Sequence, residues 1–379
     1  MKIKLLTTWN TRCGIADYSK RLVNELSKHC KIEVVPVLPS ANPFYYSALG
    51  KRLNGADIVH IQYEYGLFIH SNPYIDHFSI LINQVKSPKV FTLHSLLVPI
   101  SPKPLTGGLL KDLELGLRNM LYAPFNNQLW LERFYAKADH LFLLNRRDAL
   151  ILEGLGVKKE NISVDLPPVV HHAVCGNGSS AADKYGLRGK IILTIFGFIN
   201  PAKGYEVALE SMQGLADNVF LLIAGGVQRS SGASYLRQLQ RLIRMKNLEK
   251  RVVITGYLSE EDAAGIMAAS NIVLAPFTST NGSGSMGIGI AYHKPIIASD
   301  LSPNKEVYDA CACVELFRSG DASDLRDKIN KLLSSRMLRD ELSRSAEKYC
   351  REYNYERLSE KTMEIYHKLS SCGGYKSNA

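Results

Sequence analysis

Residues 191–204 are Ile-Ile-Leu-Thr-Ile-Phe-Gly-Phe-Ile-Asn-Pro-Ala-Lys-Gly. The first six are almost all apolar and do not alternate with polar residues, which predicts a strand buried on both faces of a sheet. The strand ends at Gly197, a short loop follows, and Lys203-Gly204 begins a helix. A lysine in this place lies at the carboxyl end of a parallel sheet, where nucleotide-binding folds hold phosphate. A solvated surface lysine is the alternative interpretation.

Strand-like runs of this kind recur along the whole chain and alternate with amphipathic helical segments. Residues 17–28 and 234–246 are two such segments, each with its leucines on one face. Alternation of buried strands with helices predicts the α/β class, with doubly wound parallel sheets. The predicted strands are residues 2–6, 32–37, 57–61, 89–93, 140–144, 161–164, 190–196, 219–224, 252–255, 272–276, 295–298 and 313–316.

The alternation is interrupted once, within residues 172–190. This stretch contains Cys-Gly-Asn-Gly-Ser-Ser and has no hydrophobic period, which is typical of a linker. We therefore expect two Rossmann-like domains facing a central cleft, residues 1–175 and 190–350, joined by a linker at 176–189. Residues 351–379 are expected to form a C-terminal helix and tail that pack back on the N-terminal domain.

Composition narrows the class of protein. Hydrophobic residues make up 46% and charged residues 22% of the 379 residues, a globular composition with enough chain for two domains. No window approaches the roughly 20 uninterrupted apolar residues of a membrane-spanning helix, and the first residues lack a signal-peptide pattern. The seven cysteines are too scattered for a disulfide framework or a common zinc motif. A cytoplasmic protein with reduced thiols is predicted.

The charge balance favours acidic partners. Lys and Arg (46) exceed Asp and Glu (36), for a formal net charge of +10. A phosphorylated small molecule, an anionic bilayer surface and nucleic acid all fit such an excess. Nucleic acid is the weakest of the three, because the basic residues are dispersed and show neither zinc-finger spacing nor interleaved aromatic residues.

Two other loops combine small residues with a following helix. Gly14 lies in a strand-to-helix turn, where it allows close backbone approach to an anion at the helix N-terminus. Taken alone, this position favours the simpler interpretation that Gly14 only makes the turn and Asp17 only caps the helix. Residues 276–289 follow a buried strand and supply backbone N–H groups and hydroxyls without bulk, as an anion-binding nest requires. The residues concerned are Gly282, Ser283, Gly284 and Ser285.

Taken together, these segments resemble the retaining glycosyltransferases of family 4, which have the two-domain GT-B fold. The resemblance covers nearly the whole chain. It is carried, in order, by residues 14–19 (Gly-Ile-Ala-Asp-Tyr-Ser), 60–66 (His-Ile-Gln-Tyr-Glu-Tyr-Gly), 91–95 (Phe-Thr-Leu-His-Ser), 196–204, 222–226 (Leu-Ile-Ala-Gly-Gly), 253–258 (Val-Ile-Thr-Gly-Tyr-Leu) and 294–300 (Lys-Pro-Ile-Ile-Ala-Ser-Asp).

The resemblance implies transfer of a sugar from a nucleoside-diphosphate sugar to a hydroxyl acceptor, a glycan or a lipid-linked one, with retention of anomeric configuration. It implies no cofactor and no metal. Lys203 is expected to stabilise the leaving diphosphate and His94 to lie near the donor sugar and its phosphate, although a satisfied core histidine is the alternative for His94. Gly14 and Gly197 are expected on the donor side, with the C-terminal domain binding the nucleotide sugar.

The acceptor is expected on the N-terminal domain, with Gln62 and Glu64 on that side. Residues 103–137 are rich in leucine, include Trp130 and carry basic residues, so they predict either a surface for anionic lipid or an ordinary pair of core helices. The arginine stripe of residues 237, 241 and 244 is interpreted as a solvated helix face.

The chain departs from the family pattern at three positions. Phe198 stands where the family has an arginine that clamps the diphosphate, and Thr280 and Ile288 stand where it has a pair of glutamates. Family branches with a Ser/Gly-rich loop exist, and residues 282–285 resemble that variant. Glu306 is a candidate for a compensating acid.

These departures leave two alternatives open. The first is a non-catalytic GT-B subunit that binds a partner or a glycan. The second is another enzyme on the same fold, such as a nucleotide-sugar epimerase, which would need no acceptor.

Overall fold

The computed structural model describes residues 1–11, 13–68, 75–97, 128–170, 177–227, 230–280, 282 and 284–373. The chain divides into two compact units. Unit 1 comprises Met1–Asp165 together with Tyr355–Ala379, and unit 2 comprises Leu166–Asn354. Each unit contains a six-stranded parallel sheet with helices on its faces. The predicted α/β class with doubly wound sheets is confirmed.

The sheet of unit 1 has the strand order β2-β1-β3-β4-β5-β6, and every neighbouring pair is parallel. Its strands are β1 (Lys2–Thr7), β2 (Lys31–Pro36), β3 (Ile58–Tyr63), β4 (Lys89–Leu93), β5 (His140–Leu143) and β6 (Ile162–Val164). Its helices are α1 (Gly14–Leu26), α2 (Pro43–Arg52), α3 (Tyr65–Phe68), α4 (His77–Ile82), α5 (Gln128–Tyr135), α6 (Arg146–Gly154) and, from the end of the chain, α15 (Tyr355–Gly373). A 3₁₀ turn covers Lys159–Asn161.

Alternation along β3 divides its side chains between two cores. Val59, Ile61 and Tyr63 join the larger apolar cluster on one face, and Ile58 joins a second cluster on the other. That second cluster also contains Leu358, Met363 and Tyr366 of α15. Because successive side chains of a strand point to opposite faces, His60 and Gln62 lie on the face covered by α15.

The sheet of unit 2 has the strand order β12-β11-β10-β7-β8-β9 and is also fully parallel. Its strands are β7 (Ile191–Phe196), β8 (Val219–Ala224), β9 (Val252–Ile254), β10 (Ile272–Ala275), β11 (Ile296–Ser299) and β12 (Glu315–Phe317). Its helices are α7 (Gly178–Lys184), α8 (Tyr205–Ser211), α9 (Ser230–Met245), α10 (Glu260–Ala269), α11 (Gly284–Ala291), α12 (Ser302–Cys311), α13 (Ala322–Ser334) and α14 (Arg336–Glu352). A 3₁₀ turn, Pro201–Lys203, precedes α8.

The division between the units falls after Asp165, whereas the first domain was predicted to end at residue 175. Residues 166–169 are tied to unit 2, because Val169 N donates to Tyr353 O (2.9 Å) and Tyr349 Oη donates to Pro167 O (3.1 Å). Residues 178–184, placed in the linker, form α7. A Cβ on Gly178 would lie 2.9 Å from Ala269 N, so α7 packs closely against the end of α10.

None of the helices in the described ranges combines the length and the apolar character needed to cross a bilayer.

Candidate functional site

The 3₁₀ turn that carries Lys203 is pressed against the end of β10. Gly204 has φ +67°, and a Cβ there would lie 1.8 Å from Pro276 O, so only glycine permits this approach. Thr278 N donates to Ala202 O (3.0 Å), which fastens the turn to the segment after β10. The strand order places β10 beside β7. The end of β7 and the start of the 276–289 loop therefore meet at Lys203.

The Lys203 ammonium is enclosed by neutral groups. Nζ donates to Ser285 Oγ and lies 4.5 Å from the centroid of the Phe277 ring. Gly197, at φ +110°, leaves the room for this arrangement, because a Cβ there would lie 3.2 Å from Ser285 Cβ and 3.5 Å from Lys203 Nζ. Burial alone lowers the pKa of Lys203 from 10.5 to about 8. No carboxylate among the described residues forms an ion pair with it, so within those ranges the charge has no counter-ion.

The N-terminus of α11 lies next to this ammonium through Ser285, the second residue of the helix. The first N–H groups of a helix have no intrahelical acceptor, and the helix dipole favours an anion there. Gly284 opens the helix, and a Cβ on it would meet no atom within 4 Å. Gly282 N donates to Thr280 Oγ1 (3.2 Å), and Ser283 lies outside the described residues. The cation, the hydroxyl and the helix N-terminus together can bind phosphate oxygens.

Two further positions that the sequence singled out in unit 2 are Phe198 and Glu306. Phe198 packs against Tyr257 with ring centroids 6.0 Å apart, so an apolar pair occupies the position expected of the clamp arginine. Glu306 lies on α12, in the crossover between β11 and β12. In the strand order this crossover begins two strands away from β7. The structure thus joins Gly197, Lys203 and Ser285 directly and places Glu306 on the helix that follows β11.

A second polar centre lies at the carboxyl end of the sheet in unit 1. His94 follows β4, and its backbone N donates to Tyr63 O (2.9 Å). His94 Nε2 lies 2.8 Å from Gln62 Oε1 at the end of β3. The Tyr18 ring of α1 meets the imidazole edge-on at 4.9 Å. Burial lowers the pKa of His94 to about 4, so its imidazole is neutral at pH 7.

A chain of buried, hydrogen-bonded polar groups lies behind His94, and these contacts were not predicted from the sequence. Gln62 Nε2 lies 3.4 Å from His60 Nε2, and His60 Nε2 lies 2.8 Å from Thr92 Oγ1. His60 Nδ1 lies 2.5 Å from the hydroxyl of Tyr366 on α15. Burial, with minor contributions from His94 and His140, lowers the pKa of His60 to about 3. The one signal in the sequence was the spacing of two, which puts His60 and Gln62 on the same face of β3.

Glu64 and Gly14 lie at the same end of the unit 1 sheet. Burial raises the pKa of Glu64, and hydrogen bonds from Ser95 and from the backbone of Tyr65 and Gly66 partly offset this rise. Gly14 begins α1 and is exposed, and a Cβ there would meet no atom within 4 Å. Packing therefore does not require a glycine at 14, and the backbone at the start of α1 is accessible.

Most of the predicted basic surface at 103–137 lies outside the described residues, since residues 103–127 are not described. Its last part forms α5. Leu131 and Phe134 of this helix are buried in the core of unit 1, while Leu129 is exposed.

Comparison with known proteins finds a family model that matches part of the chain. Residues 182–349 match the model of the family described as "Glycosyl transferases group 1". Phosphatidyl-myo-inositol mannosyltransferase of Mycobacterium leprae is 26% identical over 196 residues, which cover 50% of this chain and 49% of that protein. Alpha-D-kanosaminyltransferase of Streptomyces kanamyceticus is 26% identical over 175 residues, 43% of this chain and 42% of that protein. The chain thus matches about half the length of these curated relatives.

Similar solved structures extend over both units. Anabaena Alr3699/HepE in complex with UDP and glucose has a TM-score of 0.73 at 14% identity, covering 97% of this chain and 100% of that one. Sucrose-phosphate synthase from Thermosynechococcus elongatus has a TM-score of 0.72 at 16% identity, covering 98% and 100%. These likenesses confirm the GT-B fold that the sequence motifs implied.

Proposed function

We propose that this chain, whose residues 182–349 carry the glycosyl transferases group 1 match, moves a sugar from a nucleoside-diphosphate sugar to a hydroxyl acceptor with retention of anomeric configuration. The observation that carries the proposal is the partly buried ammonium of Lys203, which adjoins the N-terminus of α11 and has no carboxylate counter-ion within the part of the chain that the structure describes. A diphosphate supplies the missing negative charge. The match of HepE complexes with UDP and with UDP-glucose supports a donor of this kind.

In the reaction, the bond between the anomeric carbon and the diphosphate oxygen breaks, and negative charge grows on the leaving diphosphate. The acceptor oxygen forms the new bond to the anomeric carbon, and its hydroxyl proton passes to the leaving diphosphate or to solvent. Lys203 and the first N–H groups of α11 are the groups we propose to contact the diphosphate on which that charge develops, and such groups stabilise the transition state more than the ground state. Their positive charge performs the task that a divalent metal performs in other transferases. We therefore propose transfer that needs neither a metal nor a cofactor.

The loop before α11 is proposed to grip the diphosphate rather than the hexose. The family's two glutamates are replaced by Thr280 and Ile288, so no carboxylate at these positions can accept from sugar hydroxyls. Backbone N–H groups and the hydroxyl of Ser285 donate to phosphate oxygens instead. Sugar selectivity would then come from other groups, and His94 in unit 1 is the residue we propose for contact with the donor sugar.

The acceptor is proposed to be a glycan or lipid-linked hydroxyl on the side of Gln62 and Glu64, reached at the cytoplasmic face of a membrane. The net charge of +10 supports peripheral contact with anionic lipid. Anionic vesicles should retain the protein at low salt and release it at high salt, since screening acts over about 10 Å at 0.1 M. Failure to bind at low salt favours an acceptor free in solution.

The loss of both glutamates favours one second candidate, a non-catalytic GT-B subunit that keeps the fold and the anion site. Such a subunit would bind a nucleoside diphosphate without breaking a donor.

The deciding experiment has two stages. A thermal-shift screen of UDP-, GDP- and ADP-sugars identifies the donor, because a ligand that binds the native state raises stability by mass action. Release of nucleoside diphosphate from that donor is then measured with and without EDTA. Release that persists in EDTA supports the proposal, and loss restored by Mg²⁺ or Mn²⁺ counts against the metal-free mechanism. Donor binding without any release identifies the non-catalytic subunit, and release of an altered sugar nucleotide without acceptor identifies an epimerase.

A further inference from the structure

We propose that Tyr366, His60 and Gln62 are positioning residues that hold His94 in the neutral tautomer with its proton on Nε2. The importance of His94 for sugar transfer rests on the proposed function. The positioning itself does not, because every group in it belongs to unit 1.

The polarity of the chain follows from the amide of Gln62. Its oxygen faces His94 Nε2 at 2.8 Å, and an amide oxygen can only accept, so Nε2 of His94 must carry the proton. Its nitrogen faces His60 Nε2 at 3.4 Å, and an amide NH₂ can only donate, so Nε2 of His60 must be unprotonated. A single amide therefore sets opposite protonation at the two imidazole nitrogens that it touches.

The amide keeps this orientation because of what lies behind His60. A neutral imidazole with an unprotonated Nε2 carries its proton on Nδ1, which donates to Tyr366 Oη at 2.5 Å. The Thr92 hydroxyl, at 2.8 Å, donates to the unprotonated Nε2. Burial keeps both imidazoles neutral, since it lowers the pKa of His60 to about 3 and that of His94 to about 4. The hydroxyl of Tyr366 is thus the acceptor at the far end of a chain that ends on His94.

This arrangement restricts what His94 can bind. With the proton on Nε2 and committed to Gln62, Nδ1 is the remaining nitrogen and can only accept. His94 then recognises a hydroxyl, which a sugar supplies, and not an ionised phosphate oxygen, which needs a donor. Reversal of the Gln62 amide would move the proton of His94 to Nδ1 and exchange this preference.

Removal of the Tyr366 hydroxyl should cause that reversal. In Tyr366→Phe the ring still fills its place in the apolar cluster, but the Nδ1–H of His60 loses its acceptor. A buried donor without a partner is costly, so the proton of His60 moves to Nε2. That N–H can donate to Thr92 Oγ1, 2.8 Å away, but the NH₂ group of Gln62 can no longer face it, because two donors would meet. The Gln62 amide therefore turns its oxygen toward His60, and its NH₂ group faces His94.

A matched control lies on the same helix. Tyr355 is a second tyrosine of α15, and its ring packs against Tyr18, whose ring meets His94. Tyr355→Phe makes the same chemical change and leaves the hydrogen bonds from Tyr366 to His94 intact.

The test is the ¹⁵N spectrum of the histidine side chains in the full chain, with the His94 signals assigned by their loss in His94→Ala. We expect the protein to show one protonated and one unprotonated nitrogen on His94, with the proton on Nε2. Tyr366→Phe and Gln62→Leu should shift the proton toward Nδ1, while Tyr355→Phe should leave it in place. Gln62→Glu, which keeps an acceptor oxygen, should retain the proton on Nε2. A proton on Nδ1 in the unmodified protein, or unchanged His94 signals in both Tyr366→Phe and Gln62→Leu, overturns the proposal.

Sugar transfer measured on the same variants separates this inference from the proposed function. Tyr366→Phe should lower kcat by about tenfold, the effect of one lost hydrogen bond, and leave nucleoside-diphosphate affinity unchanged. If His94→Ala transfers sugar normally while Tyr366→Phe moves the His94 proton, the positioning stands and the catalytic role given to His94 fails. If the proton does not move, the positioning fails whatever the activity.

Discussion

Polar side chains lie at the carboxyl ends of both sheets, but the two groups of side chains differ in charge and in hydrogen bonding. In unit 1, His94, Gln62 and His60 are neutral and satisfy one another, with Tyr366 and Thr92 completing the set. In unit 2, Lys203 retains an ammonium among a hydroxyl and an aromatic ring. The first centre carries no charge, whereas the second carries a positive charge with no carboxylate counter-ion among the described residues.

Another partly buried lysine of unit 2, Lys294, shows that the fold can compensate such a charge with its own polar groups. Lys294 Nζ donates to the carbonyl oxygens of Ala268 (3.0 Å) and Ser270 (3.1 Å). Burial lowers its pKa as it lowers that of Lys203, but the carbonyl dipoles compensate the charge inside the protein. Lys294 therefore serves the structure, while the surroundings of Lys203 are suited to an external anion.

The largest expected effect is the loss of diphosphate binding when a side chain is added at Gly284, the first residue of α11. In Gly284→Val the new side chain meets no protein atom at its Cβ, so the fold should tolerate it. It occupies the space that phosphate oxygens need at the helix N-terminus, and binding of both the bare nucleoside diphosphate and the full donor should be lost in calorimetry.

The control for this variant is Gly154→Val, at another helical glycine whose Cβ would also meet no atom within 4 Å. It should bind the diphosphate normally. If Gly284→Val binds the diphosphate normally and loses only discrimination between sugars, the loop contacts the sugar, and the contrast between the two sheets is wrong at this point.

Much of this contrast was accessible from sequence. Strand runs, glycine turns and the order of motifs predicted the α/β class and the GT-B fold, and Lys203 and His94 were identified as residues following strands. What sequence could not supply was long-range contact. Tyr366 lies on a helix from the end of the chain, and its contact with His60 depends on how that helix packs rather than on any local pattern.

The same holds for the neighbours of Lys203. The Ser/Gly loop was predicted to bind an anion, but its contact with Lys203 through Ser285 depends on β10 lying beside β7. The order of strands in a parallel sheet cannot be predicted from the strand sequences, because all of them are similar apolar runs. The linker illustrates a different difficulty, because small residues at 178–184 looked aperiodic and yet form α7, where close packing against α10 requires them.

A smaller effect is expected when the cation itself is removed. Lys203→Met keeps most of the side-chain volume and loses a charge-assisted contact worth about 1.5–3 kcal/mol, so nucleoside-diphosphate affinity should fall by roughly tenfold to a hundredfold. The free protein should become more stable by on the order of 2 kcal/mol, because the cost of desolvating a charge that no described carboxylate neutralises no longer opposes folding. Denaturant unfolding and calorimetry measure the two quantities.

Lys294→Met is the matched control, since it removes a lysine whose charge the protein does satisfy. It should lower stability, because two buried carbonyls lose their donor, and leave diphosphate affinity unchanged. A loss of stability in Lys203→Met as well would show that Lys203 is a structural lysine like Lys294.

The smallest effect is a pH dependence that the two sheets should not share. The pKa of Lys203 is lowered from 10.5 to about 8 in the folded protein, so its charge is lost as pH rises through that value. The terminal phosphate, with a pKa of about 6, is already ionised there. Diphosphate affinity should therefore decline above pH 8 by up to about tenfold per pH unit.

Folding stability should change in the opposite sense, because between pH 8 and 10.5 the unfolded chain binds the proton more tightly. The contribution of Lys203 to the unfolding free energy therefore rises with pH. His94 and His60, whose pKa values are about 4 and about 3, are neutral throughout this window and contribute nothing to either trend. Affinity that is flat from pH 7 to 10, measured against Lys203→Met to remove the contribution of other groups, would show that the anion is not held by the charge of Lys203.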